Sequence, residues 1–335
     1  MSNKMSISSN KYGHIPGLDR QVSRIFFGCA IRPMNLGQDA GELLDAALEN
    51  GINAFDTARV YGNSEVSFGN WLRSRRCRDR VVLLTKGGHP AFSRDKDGNF
   101  QITRRISRKE IREDLEQSLL ALGVDNVDIY LLHRDDPSVP AEEIAGWMDE
   151  LVKEGKARTI GGSNWTHQRI EAAREYALAH GLTPFTVSSP HFSLAETQTD
   201  LYGDNCVTLT GDANAEARAW YRENPVAVIS FASLSQGFFS GRWTSDDFRN
   251  NDSRLKPEFI QAFGSEKNLL RLDRTRELAA EKGCTVSQLA LRWGFSQGMN
   301  LFAAVGSTSP QRMLENWQAL DLPLSKEEAD WLTGK

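Results

Sequence analysis

The sequence contains few cysteines, and their spacing excludes two common classes of small scaffold. Only four of the 335 residues are cysteines, Cys29, Cys77, Cys206 and Cys284, and no two of them form a Cys-x-x-Cys pair. This spacing argues against a structural zinc site and a disulfide framework. Reduced thiols are typical of cytoplasmic proteins, so we predict a cytoplasmic location. The polar residues 1–10 predict a flexible tail and not a secretory signal.

Long apolar runs and an excess of one charge are also missing. No uncharged apolar run approaches the ~20 residues that a helix needs to cross a bilayer. The 40 Lys and Arg residues are offset by 44 Asp and Glu residues, which gives a net charge of −4. No basic surface for nucleic acid or for anionic lipid is therefore expected. We predict a small-molecule partner, and the sequence leaves open whether the protein is a monomer or a homo-oligomer.

Motifs for two familiar kinds of site are missing as well. The Gly-x-Gly-x-x-Gly fingerprint does not follow the first predicted strand, which disfavours a doubly wound open sheet. A zinc ion held by His89, His133 and His191 is an alternative, but the sequence has no His-x-His or His-Glu-x-x-His motif. Lys86 would also place a positive charge against such an ion. We therefore expect no metal.

Three short apolar segments, each typical of a buried strand, end on a side chain that can handle a proton. These segments are Ile52–Asp56, Val81–Lys86 and Val127–His133. Amphipathic segments of helical length separate them, and parallel strands joined by helices gather their last residues at one edge of a sheet. We expect Asp56, Lys86 and His133 to meet at that edge. Tyr61 follows Asp56 by five residues and is expected on the same rim.

Eight such strand-like segments, each followed by a helical pattern, predict an α/β fold of the (β/α)₈ TIM-barrel type. We expect one domain over residues 11–335, with extra C-terminal helices and long loops after strands six and seven. The turn-rich residues 11–24 are expected to close the bottom of the barrel as a small hairpin. The polar residues 87–100 are expected to form a long loop that borders the site.

Four motifs in this chain resemble those of the aldo-keto reductase family. Gly51–Glu65 resembles the family segment that carries the catalytic Asp and Tyr, and Leu84–Gly87 resembles its lysine strand. Asp128–His133 resembles its histidine strand, and Gly161–Trp165 resembles its Gly-x-Ser-Asn signature. The motifs occur in the family's order and cover most of the chain.

The resemblance implies an oxidoreductase that reduces an aldehyde or ketone to an alcohol, or runs the reverse reaction, with Asp56, Tyr61, Lys86 and His133 as catalytic residues. The chemistry of the four side chains agrees with these roles. A phenol with a pKa of about 10 donates a proton poorly at neutral pH unless a nearby ammonium stabilises its phenolate. Lys86 is placed to do this, and Asp56 to hold Lys86. His133 is placed to hydrogen-bond the same oxygen as the phenol.

The resemblance also implies a nicotinamide cofactor, NADP(H) or possibly NAD(H). Ser163 and Asn164 are expected to bind the carboxamide, and Phe231 to stack on the ring. Ser189 stands where the family usually has a glutamine that binds the carboxamide, so it makes at most a shorter contact. The remaining cofactor residues are expected in two loops, Ser235, Gln236 and Gly237 at the pyrophosphate and Gly306, Ser307, Thr308, Arg312, Glu315 and Asn316 at the adenosine phosphate.

The choice of NADP over NAD depends on Arg312. A hydroxyl-rich loop that leads into a helix N-terminus suits a phosphate, and Arg312 lies one turn into that helix. Many relatives have a lysine where Gly306 stands, so one phosphate contact of the family is missing.

Substrate specificity is open at this stage. Trp165, His191, Phe192 and residues 202–209 are expected to wall the pocket, with packing at the rim as the alternative. The competing hypothesis for function is an NADPH-binding, redox-sensing regulatory subunit with little turnover. The four intact catalytic residues favour the enzyme.

Overall fold

The chain forms a closed barrel of eight parallel strands, which confirms the predicted TIM-barrel class. The structure is a computed structural model that describes residues 11–200, 202–204 and 206–335. The predicted tail at residues 1–10 lies outside the described residues. The strands are β1 (Tyr12–Gly13), β2 (Val22–Ser23), β3 (Ile25–Gly28), β4 (Ala54–Asp56), β5 (Val82–Gly87), β6 (Ala91–Arg94), β7 (Phe100–Thr103), β8 (Val127–Leu132), β9 (Ala157–Ser163), β10 (Phe185–Ser189), β11 (Ala227–Ser230) and β12 (Leu301–Val305). The barrel runs through β3, β4, β5, β8, β9, β10, β11 and β12 and closes from β12 onto β3.

Helices surround the barrel, with extra ones near the C-terminus as predicted. They are α1 (Arg32–Asn35), α2 (Gly41–Glu49), α3 (Ser64–Arg75), α4 (Arg108–Leu122), α5 (Ala141–Lys153), α6 (His167–Ala179), α7 (Ala215–Glu223), α8 (Ser245–Arg249), α9 (Pro257–Phe263), α10 (Glu266–Glu281), α11 (Val286–Phe295), α12 (Pro310–Gln318) and α13 (Lys326–Thr333). Capping side chains fix where several of them begin. At α11 the Thr285 hydroxyl accepts from the Gln288 N–H at 3.1 Å, and the Gln288 side chain accepts from the Thr285 N–H at 2.9 Å. None of the described helices is long and apolar enough to cross a bilayer.

Alternation along the strands divides the core into two layers. Phe26 and Leu84 belong to the cluster that fills the barrel interior, whereas their neighbours Phe27 and Leu83 pack outward against the helices. The β1–β2 hairpin closes the amino-terminal end of the barrel, as predicted. The hydroxyls of Thr159 and Thr186 each donate to a carbonyl oxygen of that segment, at 3.1 Å. The opposite end of the barrel is left free for a site.

The segment after β5, predicted as a long loop, contains a hairpin that the sequence analysis did not predict. Residues 91–103 form an antiparallel hairpin in which β6 pairs with β7. The turn contains Gly98 at φ 85°, in the left-handed region that favours glycine. An Asp-Gly dipeptide between two short alternating segments was the signal for this hairpin. The long loops after the sixth and seventh barrel strands are present as predicted, and the second contains the short helices α8 and α9.

His191 holds the loop that leaves the sixth barrel strand, β10. Its backbone donates to the Val207 carbonyl at 2.9 Å and accepts from the Leu209 N–H at 2.8 Å. Its ring contacts the hydroxyls of Thr208 at 2.9 Å and Ser193 at 3.3 Å. Burial lowers the pKa of His191 to about 4. The ring is therefore neutral in the folded protein at neutral pH.

This burial predicts a loss of stability in mild acid. The unfolded chain binds a proton at His191 near pH 6.5, whereas the folded protein does so only near pH 4. The free energy of unfolding should therefore fall by about 3 kcal/mol across this window, since one pKa unit corresponds to about 1.4 kcal/mol. His191→Gln cannot titrate, so its denaturation midpoint should depend less on pH between 4 and 6.5. His180→Gln, at an exposed histidine, should keep the wild-type slope. Equal slopes for His191→Gln and the wild type would contradict the assignment.

Candidate active site

Asp56, Tyr61, Lys86 and His133 lie together at the carboxyl end of the barrel. The Lys86 ammonium forms an ion pair with Asp56 and donates to the Thr57 carbonyl at 3.0 Å. Its Nζ lies 3.4 Å from the Tyr61 hydroxyl. The rings of Tyr61 and His133 meet edge to face, with centroids 5.6 Å apart. The structure thus brings together all four residues that the sequence placed at this edge.

The strand ends position these side chains through backbone hydrogen bonds. Lys86 is the penultimate residue of β5, and its carbonyl accepts from the Arg59 N–H at 3.0 Å in the segment that carries Tyr61. The His133 N–H donates to the Gly87 carbonyl at 2.7 Å. A Cβ atom on Gly87 would lie 2.1 Å from the Tyr130 hydroxyl. Only glycine therefore fits between the lysine and the loop that follows it.

Charge and burial set the protonation states of the site. Burial would lower the pKa of Lys86, but Asp56 and Tyr61 oppose this effect and the net shift is upward. The lysine therefore stays an ammonium at neutral pH. Burial raises the pKa of Tyr61, and the Lys86 charge opposes this rise. Tyr61 therefore carries its proton at neutral pH, beside a cation that stabilises the phenolate once the proton has left.

His133 is a neutral imidazole. Burial lowers its pKa well below the usual value, and the charges of Lys86 and Arg134 lower it further. Its Nδ1 atom is buried and has no hydrogen-bond partner among the described residues. A neutral imidazole can donate one hydrogen bond without giving up a proton. His133 is thus suited to orient an oxygen and not to act as the acid.

Two connected clefts extend from the four residues. The first has a volume of about 450 Å³ and is lined by Asp56, Tyr61, Lys86 and His133 together with the predicted cofactor residues Ser163, Asn164 and Phe231. The second, of about 480 Å³, shares four lining residues with the first: Ala232, Gln236, Ala304 and Gly306. The remaining predicted residues on the second cleft are Gly237, Ser307, Thr308, Arg312, Glu315 and Asn316. The shared wall makes one long trough.

Ser163 and Asn164 are already hydrogen-bonded within the protein. The Ser163 hydroxyl donates to the Ser189 carbonyl at 2.9 Å, and the Asn164 amide donates to the His133 carbonyl at 3.2 Å. The side-chain amide oxygen of Asn164, Oδ1, accepts from the Val207 N–H at 3.3 Å. Because an amide oxygen has two lone pairs, one remains for a ligand in the cleft. Ser189 is buried and supports the site through its backbone.

The backbone between the two clefts is strained. Ala232, Ser235 and Gln236 have φ values of 50°, 51° and 52°, in the left-handed region that non-glycine residues rarely adopt. Such strain costs about 1–3 kcal/mol per residue and is concentrated at ligand-binding sites. Ser235 is buried, and its hydroxyl donates to that of Ser193 at 2.9 Å. It thus fixes the shape of the loop from below, while Gln236 and Gly237 line the second cleft.

Three predicted pocket residues lie in the core and line neither cleft. Trp165 is fully buried against Phe185, with ring centroids 5.4 Å apart. Phe192 packs against Trp293 at the same distance, and His191 is buried in its loop contacts. A large aromatic side chain stabilises the fold most when it is fully buried. This explains why these aromatic residues pack in the core and do not line the clefts.

The structure adds lining residues that the sequence analysis missed. Arg134 lines the first cleft, and Arg32 lines the second. Tyr202 and His89 also line the first cleft, and they belong to residues 202–209 and 87–100, the two segments that were expected to border the site. Arg134 directly follows His133, so its place at a strand end was a usable signal. Arg32 lies in α1, a single turn with no helical periodicity to predict it. Within the described ranges, no group of three or more His, Cys, Asp or Glu residues is placed to hold a metal ion.

Comparison with known proteins places this geometry in a family. Residues 33–335 match the model of the Aldo/keto reductase family. The chain is 30% identical over 315 residues to a probable aldo-keto reductase 1 of Glycine max, covering 92% of this chain and 84% of that protein. It is 30% identical over 287 residues to a putative voltage-gated potassium channel subunit beta of Schizosaccharomyces pombe, covering 83% and 78%.

A solved structure agrees with the sequence comparisons. The fold is similar to that of a glycerol dehydrogenase, AKR11B4, from Gluconobacter oxydans, with a TM-score of 0.76 and 26% identity over 97% of this chain and 95% of that one. The barrel fold, the geometry of the site and the sequence comparisons all indicate the same family. The chain belongs to the aldo/keto reductase family and is an oxidoreductase.

Proposed function

We propose that the protein reduces an aldehyde or ketone to an alcohol with NADPH, reversibly, with Tyr61 as the general acid. The observation that supports this most directly is the Tyr61 hydroxyl 3.4 Å from the buried Lys86 ammonium, which Asp56 holds in place. The proposal includes the cytoplasmic location predicted from the reduced cysteines, which are free in the structure.

In this mechanism Tyr61 gives its proton to the carbonyl oxygen of the substrate. The oxygen gains negative charge as the carbon is reduced, and the phenol is the proton source in the cleft. Lys86 stabilises the phenolate that remains, which makes the transfer easier at neutral pH. His133 donates an N–H hydrogen bond to the same oxygen and holds the carbonyl in line. Asp56 keeps Lys86 charged and in position.

The trough fits a nicotinamide dinucleotide. Its first cleft offers the Asn164 carbonyl oxygen and the Phe231 ring beside Tyr61. Its second cleft is lined by Ser307 and Thr308 just before α12, and the partial positive charge at the N-terminus of that helix favours an anion. When bound, a reduced nicotinamide supplies the hydride for the carbonyl carbon.

NADPH is favoured over NADH because two guanidinium groups border the second cleft. Arg312 and Arg32 are both exposed, and neither forms an ion pair with a described residue. A 2′-phosphate bound in the second cleft would be attracted by both guanidinium groups. Gly306 provides no charge, and a Cβ atom there would lie 3.2 Å from Ile31 and 3.3 Å from the Gly28 carbonyl. Arginine thus takes the role that a lysine at this position has in many relatives.

A regulatory subunit with little turnover is the second candidate. It is favoured by the 30% identity to a putative voltage-gated potassium channel subunit beta. The complete set of Asp56, Tyr61, Lys86 and His133 in one cleft favours the enzyme.

One assay separates the two candidates. Purified protein is mixed with NADPH or NADH and a panel of aldehydes and ketones, and the loss of cofactor absorbance is followed. An enzyme consumes cofactor in proportion to substrate. A regulatory subunit binds NADPH without consuming it, and at ~100 times Kd this binding should stabilise the protein by about 2.7 kcal/mol. A melting temperature indifferent to both cofactors would rule out both candidates.

Tyr61→Phe should lower kcat for an aldehyde by ~10²-fold or more, because it removes the general acid. Cofactor affinity should change little, since the phenol oxygen contacts the reacting carbonyl. Steady-state kinetics and a cofactor titration on the same variant measure both quantities. Turnover equal to that of the wild type would remove Tyr61 from the mechanism.

Arg312→Met should weaken NADPH binding by ~10- to 150-fold and change NADH binding little, because a charge-assisted hydrogen bond contributes about 1.5–3 kcal/mol. Arg32→Met is the matched comparison, since it removes the same charge from another residue that lines the cleft. The dissociation constants of NADPH and NADH are measured for the wild type and for the two variants. They show which guanidinium group binds the 2′-phosphate. An NADPH-to-NADH ratio unchanged in Arg312→Met would show that the phosphate site has been misplaced.

A further inference from the structure

Arg134 is a buried cation in the catalytic cleft whose hydrogen-bonding capacity is largely unused. It directly follows His133, and only 6% of its surface is exposed. One terminal nitrogen, Nη2, donates to the Tyr202 carbonyl at 3.1 Å. The other two, Nε and Nη1, are buried and have no hydrogen-bond partner among the described residues. Buried guanidinium nitrogens are normally paired, so this arrangement requires an explanation.

Nearby carboxylates are already paired with other cations. Asp204 forms a two-pronged ion pair with Arg104, with both N···O distances at 2.5 Å. Asp135 is paired with Arg169 at 3.1 Å, and Asp56 with Lys86. Arg134 forms no ion pair with any carboxylate of the described residues. Its charge is therefore uncompensated, and a buried charge without a partner is strongly unfavourable.

The other polar groups beside Arg134 do not supply a negative charge. The Cys206 thiol is a weak hydrogen-bond partner of the Arg134 side chain. Burial raises the pKa of this thiol to about 12, and the charge of Arg134 and its hydrogen bond oppose the rise. Burial also raises the pKa of the Tyr202 hydroxyl to about 12. Both groups are neutral at neutral pH. With Asp56 and Lys86 cancelling each other, the cleft carries one net positive charge.

This charge lies close to the reacting groups. Arg134 lines the same cleft of about 450 Å³ as Tyr61 and His133. Burial raises the pKa of Tyr61 and lowers that of His133, and the Arg134 charge opposes the first shift and adds to the second. Arg134 and His133 are consecutive, so their Cα atoms are ~3.8 Å apart. Because Tyr61, His133 and Arg134 line one cleft, a short molecule whose carbonyl oxygen reaches Tyr61 and His133 can extend a second group toward Arg134.

We propose that Arg134 binds an oxyanion of the substrate, so that the preferred substrates are short carbonyl compounds bearing a carboxylate or a phosphate. The proposal rests on the carbonyl reduction proposed above and names its substrate class. The oxyanion accepts the hydrogen bonds that Nε and Nη1 offer and cancels the net charge of the cleft. A neutral aldehyde of the same length does neither.

The competing role for Arg134 is structural, because its bond to the Tyr202 carbonyl also ties the loop after β10 to the barrel. Kinetics with matched substrate pairs separate the two roles. The pairs are 4-oxobutanoate with butanal, and glyceraldehyde 3-phosphate with glyceraldehyde. For each pair the ratio of kcat/KM for the charged member to that for the neutral member is measured. The two pairs distinguish a carboxylate site from a phosphate site.

The wild type should prefer the charged member of at least one pair by ~10- to 150-fold, the size of a charge-assisted hydrogen bond. Arg134→Gln should reduce that ratio toward one. The double variant Arg104→Gln/Asp204→Asn is the matched control, because it loosens the same loop and removes one positive and one negative charge together, neither of them on the lining of the cleft. It should keep the wild-type ratio. A wild-type ratio near one in both pairs, or an equal ratio in Arg134→Gln and the wild type, overturns the proposal.

A binding measurement keeps the proposal testable without turnover. Acetate or inorganic phosphate should raise the melting temperature of the wild type and of the Arg104→Gln/Asp204→Asn double variant more than chloride does at equal ionic strength. Arg134→Gln should show a smaller difference, because it keeps only the general stabilisation that an excluded anion such as phosphate gives to any folded protein. An equal difference in Arg134→Gln and the wild type would contradict the proposed site. If no carbonyl compound is reduced with either cofactor, the proposed function fails, and the oxyanion site is still judged by this measurement. Equal melting temperatures in all three salts for the wild type would show that Arg134 binds no oxyanion.

Discussion

The ion pair of Lys86 with Asp56, buried at the edge of the barrel, is the interaction on which the site depends. Burial of an ammonium costs several kcal/mol unless a partner of opposite charge compensates it. Asp56 and the Thr57 carbonyl provide that compensation, and the pKa of Lys86 rises although burial alone would lower it. The pair exists because β4 and β5 are neighbours in the closed barrel and run in parallel. Without this adjacency Tyr61 would have no cation beside it.

The meeting of Asp56, Lys86 and His133 at one edge of the barrel could be predicted because it follows from local patterns. Each strand is a short apolar segment, and a parallel sheet places the ends of such segments on one rim. Predicting that Asp56, Lys86 and His133 meet at this edge required no information about how the helices pack. The β6–β7 hairpin also follows from a local pattern. Its Asp-Gly turn is a hairpin signal that the sequence analysis did not use when it predicted a long loop there.

The residues that sequence reasoning placed differently depend on tertiary packing. Trp165 and Phe192 follow strands of the barrel, as pocket residues do, but the side to which each ring turns is decided by neighbours distant in sequence. Tyr202 enters the cleft because His191 folds the loop after β10 back over the barrel. The position of Arg134 at the rim could be predicted from the sequence. That it forms no ion pair is seen only in the structure, which shows the nearby carboxylates paired with other cations.

The electrostatics of the cleft divide the proton chemistry between two residues. Tyr61 holds a proton that it can transfer, whereas His133 is kept neutral by burial first and by Lys86, His89 and Arg134 after that. An anion bound at Arg134 would cancel one of the smaller contributions and leave burial, the largest, in place. His133 would therefore stay a hydrogen-bond donor with charged and neutral substrates alike. In the proposed mechanism, charge on the substrate can then change affinity at Arg134 while Tyr61 remains the residue that supplies the proton.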